Sequence, residues 1–319
     1  MLTATRCLAV LAALASACTL VTSTSGLQGG CPDCADAAPA GDASADAPDA
    51  SRPPDGDAAP ADAGRRCSVD DPFDVVARDD VLSETTDDST AFLSSDELRA
   101  YVTHADGLTV HSRASLGGEF DARRKLLSGA LPTTVSLSDD ELELFYWSYG
   151  EQKIRSSKRT SLAADFAPGP AVAALNPLVE SVDPFPVPGG GAALYFAASG
   201  TDGGASYRIY RSARDQGAFA PPSKVDLGDY YTVSPVVTDD ELVLYFGSNR
   251  PGSVGANDVF VATRARATDA FGPPRRVGEL SSSRDEYPRW LSRDRCRLYF
   301  ARDTANASND VFVAKRSPR

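Results

Sequence analysis

The chain has 319 residues, 42% of them hydrophobic and 24% charged, and its 44 acidic residues against 32 Lys and Arg give a formal net charge of −12. This is the composition of a globular protein able to build a real core. The acidic balance argues against a nucleic-acid partner, because phosphate-backbone binders need clustered Lys and Arg to displace counterions.

The first segment carries one basic residue, Arg6, then an apolar run from Leu8 to Leu14, then Ala15-Ser16-Ala17-Cys18. A charged start, a short apolar centre and small residues at the end make a signal peptide, 1–17, too short to span a bilayer permanently. Ala15-x-Ala17 suits ordinary signal peptidase, while Leu14-Ala15-Ser16-Ala17-Cys18 resembles a lipobox whose Cys18 is acylated; both readings cut before Cys18. Thr19 after that cysteine, by resemblance to lipoprotein sorting, favours the outer membrane. The expectation is an exported envelope protein, an outer-membrane lipoprotein facing the periplasm or the cell surface, touching membrane only through its lipid.

Residues 18–66 read as a disordered tether, since from Ala35 to Gly64 the chain is almost entirely Ala, Asp, Pro and Gly and lacks the apolar surface that ordering requires. Within it, Cys31-Pro32-Asp33-Cys34 has no strand before it and no helix after it, so a local disulfide or free thiols fit better than redox chemistry. Zinc would need further ligands, and the whole chain has only His104 and His111 to offer.

The remainder, 67–319, is repetitive, and three columns recur. The first is a strand with an aromatic centre: Arg99 to Val102, Glu143 to Tyr146, Ala193 to Phe196, Val243 to Phe246 and Arg297 to Phe300. Four of the five follow a Ser/Thr-x-Asp turn (Ser94 with Asp96, Ser138 with Asp140, Thr238 with Asp240, Ser292 with Asp294), whose short polar side chains bond their own backbone and close a hairpin. The third copy has Gly189-Gly190-Gly191 instead. The second column is a six-residue strand ending in Arg113, Arg159, Arg214, Arg264 or Arg316, and the third is a phenylalanine soon after it: Phe120, Phe166, Phe219 and Phe271.

Arg316 has no phenylalanine after it, yet Phe73 stands before the first repeat without an arginine strand of its own. The N-terminal strand around Phe73 to Leu82 therefore supplies the outer strand that the last repeat lacks, and the two chain ends close a ring. Repeats of roughly 44 to 55 residues with four short strands match propeller blades. The fold class is all-β, a β-propeller of five four-stranded blades, with six blades as the alternative. Outer strands tolerate proline on their solvent side, and Pro221-Pro222 and Pro273-Pro274 fall there. Leu242, Leu244 and Phe246 alternate with Val243 and Tyr245, so both strand faces are apolar, as a blade between two neighbours requires.

The stretch Ser234 to Asp240 running into Leu244-Tyr245-Phe246-Gly247-Ser248-Asn249-Arg250-Pro251-Gly252 and then Asn257 to Arg264 resembles the TolB-like, WD-like β-propeller repeats, as does Tyr287 to Phe312. The resemblance spans about 72–319. It implies the fold and a leaning toward protein interaction in the envelope; TolB itself has six blades and an extra N-terminal domain. The tethered layout also resembles propeller-bearing lipoproteins of myxobacteria.

Candidate chemistry is sparse. Asp258 and Asp310 each precede a third strand in Gly-, Asn- and Ser-rich loops, where oxygen ligands for calcium are conceivable, but turn capping explains them better. The arginine column fits pairing with turn carboxylates or stacking on the aromatic column better than an anion channel. No G-x-S-x-G elbow accompanies His104 and His111. Cys67 precedes the closing strand and Cys296 starts a strand of the blade it completes, so a Cys67–Cys296 disulfide would clasp the ring. No catalytic, metal or cofactor residue is assigned. The reading is a monomeric, non-enzymatic module binding an envelope protein or glycan. The alternative is a carbohydrate-active hydrolase using facing carboxylates in the central funnel.

Overall fold

In the computed structural model, which describes residues 66–83, 91–104, 107–128, 132–176, 179–200, 206–304 and 309–317, the aromatic strands sit second in their sheets. The signal peptide, Cys18 and the Cys31/Cys34 pair lie outside the described residues, as does all of the tether except Arg66. The first strand, β1 (Val75–Arg78), precedes blade 1, which is β2 (Ala91–Leu93), β3 (Arg99–His104), β4 (Gly107–Ser112) and β5 (Ala122–Ser128). Blade 2 is β6 (Pro132–Leu137), β7 (Glu143–Ser148) and β8 (Lys153–Lys158). Blade 3 is β9 (Glu180–Pro186), β10 (Ala193–Ser199), β11 (Tyr207–Asp215), β12 (Ala218–Phe219) and β13 (Ser223–Lys224). Blade 4 is β14 (Thr232–Val237), β15 (Val243–Ser248), β16 (Asp258–Thr263) and β17 (Arg275–Arg276). Blade 5 is β18 (Glu286–Leu291), β19 (Arg297–Asp303) and β20 (Asn309–Lys315), and β1 completes it, in the order β1-β20-β19-β18.

All pairings are antiparallel, and each first strand touches those of the two neighbouring blades, β2 to β6, β9, β14, β18 and back to β2. The five sheets thus surround one axis. The ring closes through β1, with Val75 opposite Lys315 and Arg78 opposite Phe312, and Arg78 Nε donates to Asp310 Oδ2 at 2.8 Å. Cys67 and Cys296 are joined by a disulfide with their Cα atoms 5.2 Å apart.

Both faces of the second strands are buried: Tyr101, Phe145, Tyr195, Tyr245 and Phe300 expose 1% or less of their surface. Stacking blade on blade leaves these strands no wet face, so hydrophobicity on both sides is required rather than tolerated.

Three details differ from the sequence expectation, among the described residues. Blade 3 has five strands, because β12 and β13 pair with successive parts of the long β11. Blade 2 has three strands, its fourth reduced to a bridge between Arg155 and Ala171. Pro168-Gly169-Pro170 removes two N–H donors there, and a Cβ on Gly169 would lie 1.6 Å from the Ser156 carbonyl, so the backbone passes too close for a regular ladder. The prolines at 221–222 and 273–274 do not lie within outer strands. They stand immediately before the two-residue strands β13 and β17 and limit them to that length.

Candidate functional site

The site grows out of the contacts that join one blade to the next. In the four Ser/Thr-x-Asp turns the hydroxyl bonds the aspartate, as Ser138 Oγ does to Asp140 at 2.5 Å, and the next residue takes a left-handed conformation: Glu97, Glu141, Glu241 and Arg295, with φ between 56° and 63°. These residues reach the preceding blade. Glu241 accepts the Tyr195 hydroxyl at 2.7 Å and a fork from Arg211 at 2.6 and 2.8 Å. Arg264, from the far end of its own blade's third strand, donates Nε to the Glu241 carbonyl at 2.6 Å and a terminal nitrogen to Tyr195 at 3.2 Å. Glu141 repeats this with Tyr101, Arg99 and Arg159, and Glu97 takes the fork from Arg297 and the Nε of Arg113.

The arginine column is therefore a structural clasp. Its five members lie over the phenylalanine column at 4.3–4.7 Å: Arg113 over Phe120, Arg159 over Phe166, Arg214 over Phe219, Arg264 over Phe271 and Arg316 over Phe73. The last pair joins the two chain ends. Burial pushes the Tyr195 hydroxyl pKa upward and the Glu241 carboxylate beside it pushes the same way, while the Arg264 charge opposes both.

Two seams depart from the pattern. Between blades 4 and 5 Arg295 stands in place of the glutamate and pairs with Asp239 and Asp240 of the preceding blade, while Tyr245 keeps its bond from Arg316 at 3.0 Å; the second departure goes further. Between blades 2 and 3 the clasp tyrosine is replaced by Phe145 and the turn glutamate by Gly191, which keeps the left-handed φ of 63°. Arg214 turns to Glu143 instead, 2.8 Å away. Where the hydroxyl and the carboxylate arm are missing, a cavity of about 400 Å³ opens at the turn end of the channel. Its floor is apolar, made by Phe92, Leu137, Phe145, Phe185, Trp290 and Leu291, with Phe92 and Phe185 tilted against each other at 6.0 Å. Its rim is charged but internally paired: Arg293 of blade 5 reaches Asp139 of blade 2 at 2.8 Å, and Asp139 also accepts the backbone N–H groups of Gly189 and Gly190. Asp140 is held below the usual carboxylate range, first by the Ser138 hydroxyl, against the effect of burial.

Above this cavity the channel narrows to a polar waist. Asp183 accepts the backbone N–H and hydroxyl of Ser234 at 3.0 and 2.9 Å and Arg289 at 3.1 Å, tying blades 3, 4 and 5. Asp183 and Ser234 both precede proline and both take positive φ, 51° and 53°, an uncommon and costly conformation held by these mutual bonds. Among the described residues Asp183 is the single carboxylate lining the waist. Beyond it lie Tyr207, Tyr231 and Tyr287 with Glu180 and Asp285; burial and the carboxylates of Asp183 and Asp285 push Tyr231 up to about 12.

Asp258 is fully buried; its Oδ2 accepts the Val254 N–H at 2.5 Å with Arg276 4.0 Å away, while its Oδ1 has no hydrogen-bond partner among the described residues. Asp310 holds Arg78. His104 and His111 are both buried and meet through Thr109, at 2.8 and 3.3 Å. Phe92, Phe185, Trp290 and Arg293 escaped the sequence reading. The two exceptions to the repeat, Gly191 and Phe145, were visible signals.

No family model matches the chain, and no curated protein matches it. Among solved structures it is similar to an endo-arabinase from Bacteroides thetaiotaomicron, with a TM-score of 0.53 at 13% identity over 75% of this chain and 96% of that one. It is also similar to an alpha-L-arabinofuranosidase from Lactobacillus brevis, with a TM-score of 0.50 at 10% identity over 75% and 94%. The fold is a five-bladed β-propeller. TolB from Acinetobacter baumannii is similar as well, with a TM-score of 0.42 at 12% identity over 72% of this chain; the propeller chain spans 55% of that protein. At such identities the likeness carries the fold and not the activity.

Proposed function

We propose that this propeller is a non-enzymatic interaction module of the cell envelope, exported by residues 1–17, tethered through an acylated Cys18 and docking a protein partner on its turn end. The observation that carries this reading is the cavity beside the seam between blades 2 and 3, lined also by blades 1 and 5: an apolar floor with a rim whose carboxylates Asp139 and Glu143 are already paired with arginines. Such a lining rewards burial of apolar surface.

A glycosidase needs one carboxyl group raised in pKa to serve as acid and a second facing it. Asp140 is shifted the opposite way, Asp139 and Glu143 are tied to Arg293 and Arg214, and Asp183 is saturated by three donors. The carboxylates at the cavity and the waist are thus engaged, and Glu286, whose carboxyl burial pushes upward, is held by Ser282 and by Arg302 at 2.9 Å.

The test is crosslinked capture from envelope extract with the intact exported protein as bait, beside an assay for release of sugar reducing ends from arabinan. The expected result is a reproducible envelope protein and no reducing ends. Release that disappears in Asp183→Asn would overturn the reading. The mass of the mature N-terminal peptide checks acylation of Cys18.

A further inference from the structure

The turn glutamate and the clasp tyrosine form one unit, because the tyrosine hydroxyl donates to that carboxylate across the seam. At the seam between blades 2 and 3 both halves are gone at once. The loss is not compensated by packing: a Cβ built on Gly190 or Gly191 meets nothing within 4 Å. Gly191 is thus not a glycine demanded by crowding, and the φ it adopts is one that glutamate adopts at 56–59° in three other blades. The repeat has a side chain suited to this space, and here the space is left open over Phe145, Phe185 and Trp290.

The rim decides what enters. Asp139 is matched by Arg293 and two glycine amides, and Glu143 by Arg214 and by Ser156 Oγ at 2.8 Å. Lys158, exposed at the mouth, is held only loosely to Glu143 at 3.9 Å; deeper in, an ion would meet paired charges and apolar walls and would lose its hydration, which is costly in an apolar cavity. A neutral apolar group loses nothing of that kind. A volume of about 400 Å³ accepts one large side chain with part of its backbone, and the bare Gly189–Gly191 backbone lets a second chain approach closely.

We infer that the seam between blades 2 and 3 is a socket for one neutral aromatic or branched aliphatic side chain, presented by an extended segment of a polypeptide partner. The inference rests on the interaction-module reading and names its anchor. The Arg293–Asp139 pair spans the channel mouth between non-adjacent blades and bounds the opening through which the side chain enters.

Trp290 forms part of the floor, so its fluorescence reports occupancy. The intact protein carrying Trp147→Phe leaves Trp290 as its single tryptophan. Titration with N-acetyl-phenylalaninamide and N-acetyl-leucinamide is expected to change its emission saturably around 10 mM, about the affinity of one buried apolar side chain. Restoring the repeat with Phe145→Tyr and Gly191→Glu fills the socket and is expected to weaken both probes at least about tenfold, while the melting temperature is kept or raised. Equal binding by the restored protein, or no saturable change in the parent, overturns the socket. Saturation by methyl arabinofuranoside but not by the amides overturns it in favour of a sugar. If the restored protein still captures the same envelope partner, the socket falls and the module reading stands; if arabinan is hydrolysed, the module reading itself falls.

Discussion

Arg264 shows how one side chain joins two blades: its Nε serves the Glu241 carbonyl, a terminal nitrogen serves Tyr195, and its plane lies over Phe271. Removing it leaves the Glu241 carbonyl unpartnered and takes a donor from the Tyr195 hydroxyl and a cation from the Glu241 carboxylate, so Arg264→Ala is expected to lower the unfolding free energy by about 2–3 kcal/mol in urea titration. Arg264→Lys rescues little, because lysine has neither the fork nor the flat face. Arg214 has an ion pair of its own, to Glu143 at 2.8 Å, but its bond to the Gly217 carbonyl is longer, 3.3 Å, and it has no tyrosine to serve. Arg214→Ala is accordingly expected to cost about 1 kcal/mol less than Arg264→Ala. The turn aspartates set the acid limit. Asp96, Asp140, Asp240 and Asp294 all lie below the ordinary value of 3.8; burial pushes each upward, but a Ser or Thr hydroxyl, a backbone N–H and a neighbouring cation together outweigh it. A carboxylate with a depressed folded pKa adds stability above its unfolded pKa and loses it as pH falls through the folded one. Unfolding free energy is therefore expected to be flat above about pH 5 and to decline below about pH 4. Asp140→Asn is expected to make that decline shallower, as followed by urea unfolding at each pH.

At the scale of the element, the hairpin turns, the aromatic second strands and the arginine-ended third strands were legible because each repeats a local physical device. Residue order was enough to see that Phe73 belongs with Arg316, since a phenylalanine without an arginine and an arginine without a phenylalanine can only complete each other. The failed fourth strand of blade 2 was less legible: Pro168-Gly169-Pro170 was in view, but the close approach of Gly169 to Ser156 is a tertiary fact. The socket was half legible. Gly189-Gly190-Gly191 stood out as an exception, yet its meaning depends on a tyrosine–glutamate bond between different blades, which no spacing within one repeat reveals. Element β1 is where local strength and closure meet. Four residues of ladder hold it to β20, and the buried Cys67–Cys296 bond holds the chain just before it. Replacing both cysteines by serine is expected to lower stability by about 3–5 kcal/mol on the chain-entropy estimate, measured as the difference in urea unfolding between oxidised parent and variant. A loss below about 1 kcal/mol would mean that β1 pairing alone closes the ring.

For the whole molecule, a ring of five blades opens at its weakest seam, and two seams compete for that place. The seam completed by β1 is crossed by no continuous chain but carries the disulfide and the Arg316 clasp to Phe73. The seam between blades 2 and 3 is crossed by the chain, yet it lacks both the clasp hydroxyl and the turn carboxylate, borders the cavity and follows a blade of three strands. Local opening draws on regions with few buried contacts and exposed backbone bonds. In oxidised protein, native-state hydrogen exchange is therefore expected to show the amides of β7 and β8 exchanging before those of β3, β4, β15 and β16. Restoring the clasp with Phe145→Tyr and Gly191→Glu is expected to slow β7 and β8 selectively, by up to about tenfold for each 1.4 kcal/mol the new contacts add. Reduction of the disulfide is expected to move the fastest exchange to β1 and β20 instead. Uniform protection across all five blades in both redox states would show that the ring opens only as one cooperative unit, and that the missing clasp costs the seam no local stability.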